Sequence, residues 1–234
     1  MTRRRWIADE VAGSRAALTG ARARHLARVL RARVGQEFDV VAGERVHRAR
    51  VTRVSEDRVE FDLGEELPQV ATTGVTVLLA VFKFDRMEWA IEKLTELGAA
   101  RVVPVIAQRT DAHLARAAVK RAERWRRIAR QAAQQSRRTS APEVEEPLPL
   151  PDALAERSGC RIVLAETEHG QTLKEALRGT DAVTLAVGPE GGWTEAELRR
   201  FSDAGWTAAS LGARILRAET AAIAALAVVQ AELG

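Results

Sequence analysis

Two glycine-bearing stretches near the carboxyl end carry the residue types best suited to holding a ligand. The first, "VGPEGGWTEAEL" at 187–198, sets Gly188, Gly191 and Gly192 around Pro189 and Glu190. The second, "SLGARILRAET" at 210–220, combines Gly212 with Arg214 and Arg217 and ends on Glu219 and Thr220. Glycines at this density cost chain entropy and give a core almost nothing, which suits a place where something must approach the main chain closely. Each stretch follows an apolar run and precedes a helical pattern, and in open parallel sheets ligands bind at such strand-to-helix loops. Two of these loops side by side would line a pocket with backbone amides, aliphatic side chains and two guanidinium groups. Arginine beside a helix start is disfavoured by the helix dipole, so Arg214 and Arg217 read either as a response to an anion or acidic partner, or as a surface pair. A glycine-rich turn alone is equally compatible with simple packing. Neither G-x-x-x-x-G-K-[ST] nor G-x-G-x-x-G occurs, so no familiar nucleotide signature decides the matter.

The elements needed to position these loops are legible around them. From 75 onward "VTVLLAVF", "RVVPVI", "RIVLA", "VTLAV" and "AASL" are short apolar runs, each followed by a loop and a helical pattern. That alternation is the grammar of a parallel sheet with crossover helices. The first helix, in "DRMEWAIEKLTELG", is expected to open on a capping box of Asp85 and Glu88, to bury Met87, Ile91, Leu94 and Leu97, and to stop at Gly98. Thr194 with Glu197 three residues on forms a second capping pattern. Four prolines between 142 and 151 predict an extended connection. Upstream, "ARARHLARVL" places Leu26, Val29 and Leu30 at helical spacing after Thr19. "EFDVV", "RVHRARV" and "RVEFDL" then read as short antiparallel strands. The expected organisation is a β-rich domain over 1–70 and an α/β domain over 74–234, with Pro68 and the "TTG" at 72–74 in the linker.

With 234 residues, 46% of them apolar and 29% charged, the chain has the balance of a soluble globular protein. Its longest apolar run, "AAIAALAVV" at 221–229, falls short of the roughly 20 residues a spanning helix needs, so no membrane role is expected. The amino terminus carries no secretory pattern, and a lone cysteine, Cys160, excludes an intrachain disulfide; a cytoplasmic location is the simplest expectation. His25, His47, His113 and His169 lack ligand spacing, so no metal site is indicated. Charge is clustered: residues 1–53 hold thirteen arginines against five acids, and residues 120–138 hold eight basic residues against Glu123 alone. Such blocks are the footprint of a polyanion partner, or of two solvated faces. Candidates for nucleic-acid contacts are Arg22, Arg24, Arg28, Arg31, Arg137 and Arg138. Four of the tryptophans, Trp89, Trp125, Trp193 and Trp206, suit core packing, with Trp193 placed to shape the glycine loop.

"VGPEGGWTEAEL" followed by "LGARILRAETAAIAAL" resembles the RsmE family of 16S ribosomal RNA uridine N3-methyltransferases, of the SPOUT superfamily. The resemblance extends through "FDRMEWAIEKLTELGAARVVPVIAQRT" and "RIARQAAQQSRR", and "RHLARVLRARVGQEFDVV" is similar to that family's PUA-like RNA-binding β-barrel. It implies a SPOUT-type parallel sheet with a carboxyl-terminal trefoil knot, a homodimer, and S-adenosylmethionine as cofactor without a metal. It also implies 16S rRNA or the small ribosomal subunit as partner. The cofactor would be wrapped by Leu164, Ala165 and Glu166 of "LAETEHG", by Gly188, Pro189, Glu190, Gly191 and Gly192, and by Leu211, Gly212, Ile215, Leu216, Arg217 and Thr220. Uracil N3 must lose a proton as it is methylated, so the site needs a proton acceptor or a stabiliser of negative charge. Glu190 or Glu219 is the candidate acceptor and Arg217 the candidate stabiliser. Competing readings are a related ribose 2′-O-methyltransferase and a non-catalytic RNA-binding assembly factor.

Overall fold

The computed structural model describes residues 5–43, 45–67, 74–136, 138–155, 159–177 and 182–233. The chain divides into two compact units, Met1–Ala71 with Ala133–Ser140, and Thr72–Ala132 with Ala141–Gly234. Residues 68–73, which hold most of the expected linker, lie outside the described residues.

In the first unit β1 (Arg5–Ile7), β2 (Glu10–Ala12) and β3 (Arg15–Thr19) lead into a short helix α1 (Gly20–Arg24) that widens into a π-helical turn, His25–Val29. Three long strands follow: β4 (Glu37–Ala42), β5 (Arg45–Val54) and β6 (Arg58–Glu66). They form a six-stranded sheet in the order β1-β4-β5-β6-β3-β2, antiparallel except where β1 runs with β4. Register shifts between His47 and Ala49 and between Val51 and Arg53 interrupt the β5–β6 ladder. Bulges of this kind bend and twist a strand, which curls the sheet around its core of Trp6, Leu18, Leu26, Val40, Val51, Val59 and Phe61. Of the three apolar residues expected to share one helical face, only Leu26 is buried. Val29 is 64% exposed and Leu30 38%, because the π-turn widens the spacing and turns them to solvent. Arg31 follows at φ 51°, the one non-glycine in the left-handed region among the described residues.

The second unit begins with β7 (Thr76–Ala80), α2 (Phe84–Glu96), β8 (Arg101–Ile106) and the long helix α3 (Ala112–Gln135), whose last residues belong to the first unit. Next come β9 (Glu143–Val144), β10 (Leu148–Pro149), α4 (Leu150–Ala155), β11 (Cys160–Leu164) and α5 (Leu173–Ala176). The chain closes with β12 (Val183–Val187), α6 (Glu195–Asp203), β13 (Thr207–Ala209) and α7 (Ala218–Leu233). All strands are parallel, in the order β10-β8-β7-β12-β11-β13, with β9 also on β8. A parallel sheet needs cover on both faces. Val77 and Leu79 of β7 face a core shared with α2, α3 and α7, while Leu78 and Ala80 face a second core with Leu150, Trp193, Phe201 and Trp206. The proline-rich segment is paired at Glu143, opposite Arg101, and at Leu148, opposite Val105, but the expected extended connection stops at Pro149, because Leu150 and Pro151 already belong to α4.

The expected capping box on α2 does not form. The helix starts at Phe84 with Lys83 as N-cap and no side-chain cap bond, which puts Asp85 inside the first turn. Glu88 is drawn away by Arg124, which donates to both of its oxygens at 2.5 and 2.7 Å. Met87, Ile91 and Leu94 are buried and the helix stops at Gly98 (φ 98°) as expected, while Leu97, at the C-cap, is only partly buried. Trp89 departs from the core assignment: it is 47% exposed, whereas Trp125, Trp193 and Trp206 are buried. No helix among the described residues is long and apolar enough to cross a membrane.

Candidate active site

Because β11, β12 and β13 run parallel, their carboxyl ends deliver three loops to the same side of the sheet. Leu164–Thr167 with His169, Val187–Glu190 with Gly192 and Trp193, and Ala209–Leu216 together line a pocket of about 540 Å³. That volume lies within the range of small-molecule sites, about 300–1,000 Å³.

The loops are held by their own backbone. Ala165 N–H donates to Ala209 O at 3.1 Å, and Thr172 bridges to Ser210, whose N–H donates to Gln171 O at 3.0 Å. Glu168 closes the first loop by accepting from Gly170 N–H at 2.6 Å. In the glycine loop Gly192 N–H donates to Pro189 O at 2.8 Å, and Gly192 itself sits at φ 68°. A Cβ on Gly188 would lie 3.3 Å from Trp193 Nε1, and one on Gly192 3.3 Å from Glu166 Oε1, so the backbone is bare where side chains would crowd. Gly212 stands at φ 102° with nothing within 4 Å of a Cβ; its requirement is conformational. The expected capping box of Thr194 and Glu197 is present and starts α6 directly after the glycine loop.

Ile215 is 85% exposed and Leu216 36%, both on the pocket wall. Aliphatic side chains so placed offer an apolar face that the protein itself leaves uncovered, as a flat heteroaromatic ligand would require. Beside them the wall carries main-chain groups and the polar side chains of Glu166, Glu190, Glu195, His169, Arg109 and Arg214. The cradle therefore fits an adenosyl group with a charged tail.

Eleven of the fourteen expected cofactor residues line this pocket: Leu164, Ala165, Glu166, Gly188, Pro189, Glu190, Gly192, Leu211, Gly212, Ile215 and Leu216. Gly191, Arg217 and Thr220 are not on its wall. Arg217 and Thr220 are exposed at the start of α7, and among the described residues no carboxylate pairs with Arg214 or Arg217. Glu190 is exposed on the pocket wall, while Glu219 is 5% exposed behind it, 3.8 Å from Arg86 Nε. Arg109 joins the pocket although no local motif marks it: Nη1 donates to Gly191 O at 2.5 Å. Only the fold brings the turn after β8 against a loop 82 residues away.

Of the arginines expected at a nucleic-acid surface, Arg24 and Arg31 have no ion-pair partner among the described residues. Arg22 pairs with Asp9 and Arg28 with Glu56. Arg138 is half-buried, and burial pushes its guanidinium below the usual range. Arg137 lies outside the described residues.

Residues 69–230 match an RNA methyltransferase domain family and residues 18–64 an RNA methyltransferase PUA domain. The chain is 34% identical to ribosomal RNA small subunit methyltransferase E of Synechocystis, over 96% of this chain and 76% of that protein. It is 31% identical to the protein of the same name from Bacillus subtilis, over 91% and 88% of the two chains. Among solved structures it is similar to ribosomal RNA small subunit methyltransferase E of Neisseria gonorrhoeae bound to S-adenosyl methionine. That similarity has a TM-score of 0.87 and 30% identity, and covers 98% of both chains. With its curled amino-terminal sheet, its parallel α/β sheet and these matches, the chain belongs to the RsmE family of RNA methyltransferases.

Proposed function

We propose that this protein transfers the methyl group of S-adenosylmethionine to N3 of a uridine in 16S rRNA of the small ribosomal subunit. The observation that carries the reading is the pocket at the ends of β11, β12 and β13, where bare glycine backbone meets the uncovered side chain of Ile215. It is supported by a structural relative of the same overall fold whose crystals hold S-adenosyl methionine.

S-adenosylmethionine bound there supplies an electrophilic methyl on a sulfonium sulfur. The chain's own work is to hold the acceptor nitrogen in line and to manage its proton. Glu190, exposed on the pocket wall, is the better placed of the two candidate acids to take the N3 proton onto a carboxylate oxygen. Glu219 is buried beside Arg86, which suits a role in holding the start of α7. Arg217, exposed and without a carboxylate partner among the described residues, is suited to offset the charge that spreads onto the uracil carbonyls. In this reading the 1–70 region and α3 grip RNA phosphates through Arg24, Arg31 and the basic residues of α3, while 74–234 performs the transfer and carries the trefoil knot. The active species is a homodimer, consistent with an α7 that has no charged residue between Glu219 and Glu232.

Calorimetric titration with S-adenosylmethionine tests the cofactor assignment. Saturable heat that Gly192→Val abolishes is expected, and no heat from the unmodified protein would favour the non-catalytic assembly factor.

A further inference from the structure

We propose that Arg109 is a positioning residue for methyl transfer: from the turn after β8 its guanidinium fixes the glycine loop in the shape that the methyl donor requires. The proposal rests on the reading of the pocket as the donor site.

Between Gly188 and Gly192 the loop has little means of holding itself, while Trp193, packed against Phe201 in the second core, anchors its end. Its glycines offer no side chains to pack, and the one internal bond is Gly192 N–H to Pro189 O. Its carboxyl end is anchored at Thr194, whose hydroxyl donates to Gln108 Oε1 at 2.7 Å and whose main chain is capped by Glu197. Among the described residues, it is Arg109 that reaches the middle from another element. Nη1 donates to Gly191 O at 2.5 Å and lies 3.4 Å from Trp193 O. The aliphatic stem lies against the bare backbone: a Cβ on Gly191 would meet Arg109 Cδ at 3.3 Å. That contact gives Gly191 a purpose although it is off the pocket wall, since a Cβ there would oblige the Arg109 stem to give by a few tenths of an ångström.

The turn that carries Arg109 is itself rigid. Thr110 Oγ1 donates to Val81 O at 3.1 Å and accepts from Ala107 N–H at 3.2 Å. Gln108 N–H donates to buried Glu197 at 2.7 Å. Arg109 thus transmits the fixed geometry of the β8 end to the loop after β12. Nη1 alone approaches both carbonyls, and the planar guanidinium holds its N–H groups in fixed directions, unlike the freely rotating ammonium of a lysine. Its guanidinium is exposed, and exposed polar contacts contribute little to global stability, so its removal should loosen the loop and spare the fold.

The test compares the full-length protein with Arg109→Ala and Arg109→Lys by hydrogen exchange across 188–194, S-adenosylmethionine calorimetry and steady-state kinetics. For Arg109→Ala the expected result is exchange in that segment and the donor Kd both raised about tenfold, the worth of one charge-assisted bond. KM for the donor should rise and KM for RNA stay put, with Tm held within about 2 °C. Arg109→Lys should fall between the two. Unchanged exchange and donor affinity in Arg109→Ala would overturn the proposal. So would equal damage in both variants with a matching fall in Tm, which would assign the residue to the fold. A wild-type protein that gives no heat with the donor would instead sink the pocket assignment, whatever the exchange shows.

Discussion

The main-chain N–H of Gln108 donates to Oε1 of Glu197 at 2.7 Å, across 89 residues of chain. The other oxygen of the same carboxylate accepts from Thr194 N–H at 2.8 Å, and the residue is 4% exposed. One buried acid therefore caps α6 and ties the end of β8 to the glycine loop. Glu197→Ala should cost about 2–4 kcal/mol, the sum of a lost cap and a buried N–H left unsatisfied. Glu197→Gln should cost less but still destabilise, because one carboxamide cannot accept on both sides. Denaturant midpoints of the three proteins measure this.

Gly192 and Gly212 both occupy the left-handed region, at φ 68° and 102°. Gly212→Ala meets open space, so its effect is backbone strain alone, about 1–2 kcal/mol spread between folding and ligand binding. Gly192→Ala adds a crowded approach to Glu166 and should weaken donor binding more. Titration of both variants with S-adenosylmethionine is expected to rank them in that order.

Glu190 and Glu219 can be separated by the pH dependence of transfer. If Glu190 accepts the N3 proton, protonating it on the acid side stops the reaction. Glu190→Gln should then lower kcat by about 100-fold and remove the acidic limb of the profile while donor affinity persists. Glu219→Gln, altering a carboxylate off the pocket wall, should keep that limb. Retention of the limb in Glu190→Gln would reassign the proton acceptor.

Among the described residues Arg24 and Arg31 have no carboxylate to leave, whereas Arg22 and Arg28 are held by Asp9 and Glu56. Arg24→Ala and Arg31→Ala should each weaken RNA binding and reduce the slope of log K against log salt by about 0.7–0.9. Arg22→Ala and Arg28→Ala should change that slope less. Filter binding across a salt series provides the comparison.

The strands and the two glycine-bearing pocket loops are readable because their signals are local: period, β-branched runs, glycines at strand ends and the Thr194–Glu197 cap. Where a distant residue competes, local reading fails. Glu88 has the spacing of a cap partner but binds Arg124, and Arg109 sits in an unremarkable turn whose role exists only once the sheet brings Gly191 beside it. Val29 and Leu30 failed for another reason, since a π-turn changes the period on which the helical stripe was counted. Arg217 and Thr220 follow the pocket loop in sequence but face solvent as α7 begins.

The decisive measurement incubates undermethylated small ribosomal subunits with this protein and isotopically labelled S-adenosylmethionine, then digests the rRNA to nucleosides for mass analysis. The account predicts label in 3-methyluridine at one site per subunit. Label on a ribose 2′-oxygen, or no transfer at all from a protein that binds the donor, would contradict it.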